Sequence, residues 1–258
     1  MQCKNCGNTL RTDYSYCPDC GAQVIRNRLT VKNLWYDAIE RYFNVDNTFL
    51  RTFTHLFSKP ESVIVGYIEG IRKKYLNPIS YLGIAITLSG LLVFFMRKNS
   101  GQFDMDVLGT GQSQAWQGKF WDAILDYQAI LFVLYIPMMA IAGWLNFQAK
   151  KYNFSERIVI FTYTLAQYSL GIFIPSLIIL ALIPSFYMKF SFIAIFFMYL
   201  YSAYVIKRIA REKGIELWSK VLIFWMLFTI FYFSLSIIIP IILFLTGTIQ
   251  PEDFKPTA

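Results

Sequence analysis

Apolar positions change their rhythm along this chain. Up to residue 76, polar residues break them every few positions. From residue 79 onward they gather into five long runs: Ile79–Met96, Tyr127–Phe147, Ile158–Ile183, Phe190–Ile206 and Val221–Thr246. A helix rising about 1.5 Å per residue needs about 20 apolar residues to cross the hydrocarbon core of a bilayer. Each run therefore predicts a membrane-spanning helix. The third and fifth are long enough to tilt or bend. Joined, the third and fourth would exceed a bilayer, so the Pro184-Ser185 pair is read as the turn between them. None of the five runs contains Asp, Glu, Lys, Arg or His. The expected fold class is an all-α polytopic membrane protein, with a small N-terminal ribbon and amphipathic cytoplasmic helices. The expected domains are 1–28, 29–76 and 77–258.

The stretch 29–76 carries a helical period instead. Val31, Leu34, Trp35, Ala38, Ile39, Tyr42 and Phe43 share one face,. A second segment holds Phe49, Leu50, Phe53, Leu56 and Phe57. "SKPE" then offers a capping box from Ser58 to Glu61, with Pro60 in the permissive first turn. A third segment carries Val63, Ile64, Tyr67, Ile68 and Ile71, and ends in Arg72, Lys73 and Lys74. Asn77 is placed to cap the first span, with Pro78 at its first position. These helices are too polar to span. They lie in the membrane interface or pack as ordinary amphipathic helices, and the pattern leaves both open. The Arg72–Lys73–Lys74 cluster is a candidate site for anionic headgroups or phosphate, although such a cluster is also an ordinary topology signal. His55, the only histidine, reads as structural.

Composition agrees with the pattern. The chain of 258 residues is 56% hydrophobic and 16% charged, against about 25% charged in an average soluble domain. Its net charge of +8 is unevenly placed. Lys150, Lys151, Arg157, Lys207, Arg208, Arg211, Lys213 and Lys220 fall in two short loops, and Arg72, Lys73 and Lys74 precede the first span. Arg97, Lys98, Lys119, Lys189 and Lys255 are thinly spread over the other three stretches. Lys and Arg are retained in the cytoplasm, so the N-terminus is expected inside and the C-terminus outside. Arg97 and Lys98, abutting the outer end of the first span, argue mildly the other way. Residues 1–30 lack the apolar core of a signal peptide, so the first span is expected to act as its own insertion signal. The expected location is a bacterial inner membrane.

Candidate chemistry enters at the N-terminus, "CKNCGNTLRTDYSYCPDCG". Cys3, Cys6, Cys17 and Cys20 stand as two CxxC pairs, each followed by glycine. In a reducing cytosol this spacing reads as a tetrahedral site for structural Zn²⁺. Paired disulfides or a redox CxxC do not explain the doubled spacing with paired glycines. Such a head is too small to fold on its own core, and metal binding would hold it together. Two knuckle turns joined by a hairpin around "TLRTDYSY" are expected. Four thiolates on Zn²⁺ bring the head close to neutral, which argues against nucleic acid as its partner.

The first 85 residues resemble an uncharacterised, Bacteroidetes-type family of multi-pass membrane proteins, known only as a domain of unknown function. The resemblance rests on "CKNCG", "YCPDCG", "RLT" at 28–30, "FLRTF" at 49–53, "LFSKP" at 56–60 and the YxxGxRxxYxNP motif in "YIEGIRKKYLNPISYL" at 67–82. Ala22 stands where the family carries glutamine, with Gln23 following, and this leaves the cysteines untouched. The resemblance implies an organisation and no activity.

Proton-coupled transport or intramembrane catalysis asks for acids, bases or metal ligands at depth, and the five runs have none. The third run is the most polar, and Thr164 and Gln167 within it are the candidate cavity residues. Pro137, Pro175 and Pro240 lie inside three runs, where they kink helices or improve packing. Trp116, Phe120, Trp121, Ile124 and Tyr127 predict a short interfacial helix before the second span. The reading that results is a scaffold or docking protein, with membrane lipids and an unidentified protein as partners, and an enzyme reading ranks third. The alternative is a transporter or lipid-handling protein with a polar cavity in the third span.

Overall fold

The computed structural model describes residues 2–3, 6–21, 24, 48–71, 74–99, 115–146, 152–210, 213–248 and 250. It divides into two units, Met1–Asp46 and Asn47–Ala258. The helix expected over 31–43 lies outside the described residues. Among the described residues the larger unit is helical throughout. Its helices are α1 (Thr48–Ser58), α2 (Pro60–Ile68), α3 (Pro78–Lys98), α4 (Ala115–Asp126), α5 (Gln128–Asn146), α6 (Phe154–Leu182), α7 (Tyr187–Ile209) and α8 (Gly214–Leu245). A single 3-10 turn, Pro184–Phe186, separates α6 from α7. Among the described residues, five helices are long and apolar enough to cross a membrane: α3, α5, α6, α7 with its preceding turn, and α8.

The helix boundaries follow from local chemistry. Asn77 caps α3 by accepting the Ser80 N–H at 2.8 Å, with Pro78 as the first helical residue,. α6 starts four residues before the apolar run does. Asn153 accepts the Glu156 N–H at 2.9 Å, and the Glu156 carboxylate accepts the Asn153 N–H at 2.8 Å. This reciprocal box satisfies two of the orphan donors at the helix start. It also lengthens α6 to 29 residues, about 43 Å at 1.5 Å per residue. That exceeds the hydrocarbon thickness of about 30 Å, so α6 has length to tilt, bend or project beyond it. The Ser58–Glu61 box expected from the sequence does not form. α1 continues through Ser58, whose hydroxyl donates back to Thr54 O at 2.9 Å. Lys59 takes the cap position of α2 without a side-chain bond.

α2 ends earlier than its apolar face suggested, at Ile68. Gly70 adopts φ +105°, and Ile71 N–H donates to Gly66 O at 2.8 Å while Gly70 N–H donates to Tyr67 O at 3.2 Å. This pair of bonds is a Schellman stop, and Ile71 folds back over Gly66. Of the basic cluster that follows, Arg72 and Lys73 lie outside the described residues.

α1 and α2 do not stand apart as amphipathic helices. Leu56, Val63 and Ile64 are completely buried and belong to the same core as Tyr81, Ala85, Met139, Ala140, Tyr163 and Ala166 of the long helices. α3 packs most extensively on α6, α6 also contacts α5 and α7, and α2 sits against α6 and α7. Close approach of α5 and α6 depends on Gly143, where a Cβ would lie 2.8 Å from the Phe161 ring. Pro137, Pro175 and Pro240 are all accommodated inside helices. The expected interfacial helix is present as α4, and Arg97 at the end of α3 pairs with Asp126 at the end of α4. A local acid therefore meets the cation that ran against the charge bias.

Candidate metal centre and buried polar cluster

The smaller unit is built around its cysteines. Gly7 N–H donates to Cys3 O and Gly21 N–H to Cys17 O, each at 2.9 Å. These are the same turn made twice. Gly7 and Gly21 take φ +79° and +70°, a region open to glycine at no steric cost. Each turn brings its two cysteines to the same point. Cys3 N–H also donates to Asn8 O at 2.8 Å, beside an isolated antiparallel bridge from Gln2 to Thr9. Instead of the expected paired hairpin, Arg11–Tyr14 makes a turn at 3.4 Å and Val24 N–H reaches Ser15 O at 2.9 Å. Among the described residues of this unit, only Cys3, Leu10 and Cys17 are buried.

All four sulfurs lie within 4.8 Å of one another. Cys3 and Cys20 approach to 3.6 Å, as do Cys6 and Cys17. Four sulfurs at ~2.3 Å from one Zn²⁺ would be ~3.8 Å apart, so the set fits a tetrahedral thiolate site. None of the four is in a disulfide among the described residues. The Asn8 backbone N–H lowers the Cys6 thiol, but the sulfurs of Cys20, Cys3 and Cys17 together with desolvation raise it further, up to about 12. Crowded thiols resist ionisation unless a cation joins them. The cluster can hold one metal ion, with two ligands buried and two exposed.

A second group of polar side chains lies inside the larger unit, where α1 meets the long helices. Gln167 is fully buried. Its Oε1 accepts from the Tyr81 hydroxyl, and its Nε2 donates to Phe53 O at 3.1 Å. Tyr163 donates to Leu76 O at 2.6 Å, while Leu76 N–H donates to the buried Thr52 hydroxyl at 2.9 Å. Tyr201 donates to Leu56 O at 3.0 Å and Tyr204 to Ser58 O at 3.2 Å. The tyrosine bonds to Leu76 O, Leu56 O and Ser58 O have one physical origin. The last carbonyls of a helix have no partner within it, and irregular backbone at membrane depth is tolerated only where protein satisfies it. Side chains of α6 and α7 supply that satisfaction to the end of α1 and to the 74–77 connection.

Residues 46–90 match a family model. Its description is a protein of unknown function (DUF3667). No curated protein and no solved structure matches the chain. The matched segment comprises α1, α2 and the first half of α3. It contains Thr52, Phe53, Leu56, Ser58, Leu76 and Tyr81: both sides of the Leu76–Thr52 bond and one side of each of the others. Their partners Tyr163, Gln167, Tyr201 and Tyr204 lie beyond it.

The sequence-selected residues now have places. Cys3, Cys6, Cys17 and Cys20 converge. Lys74 is exposed, with its ammonium 5.4 Å from the Tyr75 ring centre. His55 bonds the Tyr75 hydroxyl through Nδ1 at 2.9 Å. Thr164 bonds Ile160 O of its own helix at 2.8 Å. Gln167 borders a groove of about 380 Å³ between α1, α6 and α7, and Thr164 does not line it. Arg157, read as a loop cation, is buried in the first turn of α6 and donates to Gly143 O at 3.0 Å. "NFSE" just before it was the signal that the helix starts there.

Glu61 is the other residue whose role the sequence missed. Arg208 Nε and Nη2 donate to its two oxygens at 2.9 and 2.5 Å. Burial raises the Glu61 carboxyl, but the hydrogen bonds and charge of Arg208, its own backbone N–H and nearby Lys59 outweigh this and hold it below its ordinary value. The ionised form is favoured in the folded chain. Its contribution is therefore complete above about pH 4.3 and is lost as pH falls through the lowered folded value. Glu61→Gln should lower the thermal midpoint at neutral pH, and the gap from wild type should close on acidification. A pH series of detergent melts checks this, and a gap that persists below the folded Glu61 value refutes it.

Proposed function

We propose that this protein is a membrane scaffold whose cytoplasmic head, stapled by structural Zn²⁺ on Cys3, Cys6, Cys17 and Cys20, docks another protein. The observation that carries this reading is the closed geometry of the cysteine cluster. Four thiolates fill a tetrahedral ion and leave no position for substrate or water. The ion would supply structure alone, and the residues around it would present the contact surface. Tyr16, 61% exposed, is the most exposed large apolar side chain on the described part of the head. Charge bias favours an N-terminus in the cytosol and a C-terminus outside. A bacterial inner membrane and the Bacteroidetes-type family accord with the motifs at 3–21 and 67–82. Arg72, Lys73 and Lys74, next to the first span, would face anionic headgroups.

Cross-linking in native membranes followed by purification of the full chain tests this reading. A specific protein should co-purify with wild type and be lost on zinc chelation or with Cys17→Ser/Cys20→Ser, while insertion is unchanged. Retention of the same partner by the double variant would sink the docking reading. A second reading, movement of a solute or lipid past Thr164 and Gln167, draws on the groove beside Gln167. It predicts transport by the reconstituted protein with or without the head.

A further inference from the structure

We propose that the groove between α1, α6 and α7 holds one acyl chain of an anionic phospholipid, with its headgroup at Lys59 and Lys207. This site is separate from the docking reading and involves no residue of the head. α6 and α7 are both candidate spans, so the medium around an opening between them is hydrocarbon. The groove exists because Gly171 has no side chain. A Cβ there would meet the Phe57 ring tip at 3.1 Å, and the phenyl ring closes that wall without filling the space. The opposite wall is accessible, with Phe197 51% and Leu200 40% exposed. Its volume of about 380 Å³ falls within the range of small-ligand sites, roughly 300–1,000 Å³.

The groove also has a direction. Phe197, Leu200 and Tyr204 succeed one another along α7 over about 10 Å, at 1.5 Å per residue, and lead to its basic end. Tyr204 closes the upper rim by donating to Ser58 O at 3.2 Å. Lys59 follows Ser58 directly, and Lys207 lies about one turn beyond Tyr204. Both lysines are exposed. Arg208, next in sequence, is engaged by Glu61. Beyond that neutralised pair, the rim therefore carries two cations. An apolar slot in the spans that rises to a cationic rim has the charge and polarity order of an anionic phospholipid.

The test places the full chain in nanodiscs containing phosphatidylglycerol or phosphatidylcholine, each with a photoreactive group in one acyl chain, and maps labelled peptides by mass spectrometry. Phosphatidylglycerol label should concentrate on Phe57, Leu200 and neighbouring α6 residues, above the level on exposed α8 positions Ile237 and Ile241. Leu200→Trp should abolish this excess and leave the α8 label unchanged. Phe192→Trp, also exposed on α7 but outside the groove, should keep it. Lys59→Gln and Lys207→Gln should each reduce phosphatidylglycerol labelling by about fivefold, the factor set by ~1 kcal/mol per cation near a headgroup. Groove label equal to α8 label, or unaffected by Leu200→Trp, overturns the acyl-chain site. Equal labelling by the two lipids in wild type overturns the anionic headgroup.

Discussion

Stripping the proposed metal from Cys3, Cys6, Cys17 and Cys20 is expected to unfold the head and leave the five long helices intact. The buried core of the described head amounts to Cys3, Leu10 and Cys17, and two of these are ligands. Hydrophobic burial on that scale does not offset the conformational entropy of ordering even a short chain. Metal binding can, because structural Zn²⁺ contributes an apparent ~10–16 kcal/mol in finger peptides at neutral pH. The larger unit has its own extensive core and no share in that term. Hydrogen exchange on the full chain, with and without chelator, separates the two units. The amides of Cys3, Gly7 and Gly21, which donate within the head, should lose all protection, whereas those of α3 and α6 should not change. Cys17→Ser/Cys20→Ser should match the chelated protein. Since thiolates must lose protons to bind the ion, metal occupancy should fall with pH. Head amides that stay protected after complete metal removal refute the staple, and metal analysis of the purified chain identifies the ion.

How much of this was legible depends on whether a residue's partner is near it in sequence. The five long helices follow from the length of apolar runs, and the Asn77 cap and the twin glycine turns from residues within four positions of each other. The Asn153–Glu156 box obeys the same local rule and was equally visible. The Ser58–Glu61 box was locally plausible and wrong. Its members are drawn in other directions: the Ser58 hydroxyl to Thr54 O within α1, and the Glu61 carboxylate to the distant Arg208. Gly70 shows the opposite failure, since an apolar face that continues to Ile71 hides a glycine that ends the helix at Ile68. The packing of α1 and α2 on α6 and α7 was not legible. An amphipathic face states that something covers it, not what. Leu56 and Ile64 would read alike against a headgroup layer or against Tyr163.

Gln167→Leu is expected to cost about 1–3 kcal/mol of stability. The reason lies less in the lost bonds than in the group left behind. Leucine fits the buried space but leaves the Tyr81 hydroxyl without its acceptor, while Phe53 O loses only a second donor and keeps its intrahelical bond in α1. Each orphaned buried group costs about 1–3 kcal/mol, and the low end applies because interhelical polar bonds in membranes average about 0.6–2 kcal/mol. Tyr81→Phe should cost less, since it orphans only one Gln167 oxygen and leaves the bond from Nε2 to Phe53 O. The double variant should be more stable than the sum of the singles predicts, because it removes the Tyr81 hydroxyl together with its acceptor. That coupling is the signature of direct contact. Unfolding in graded detergent mixtures measures all three variants. The outcome also discriminates what Gln167 is for. A glutamine kept for a passing solute would be replaceable by leucine without loss of stability, and only solute binding would suffer. A glutamine that holds the end of α1 to α3 and α6 would show the full loss with no ligand present, and would loosen Phe57 from the groove wall at Gly171 as well.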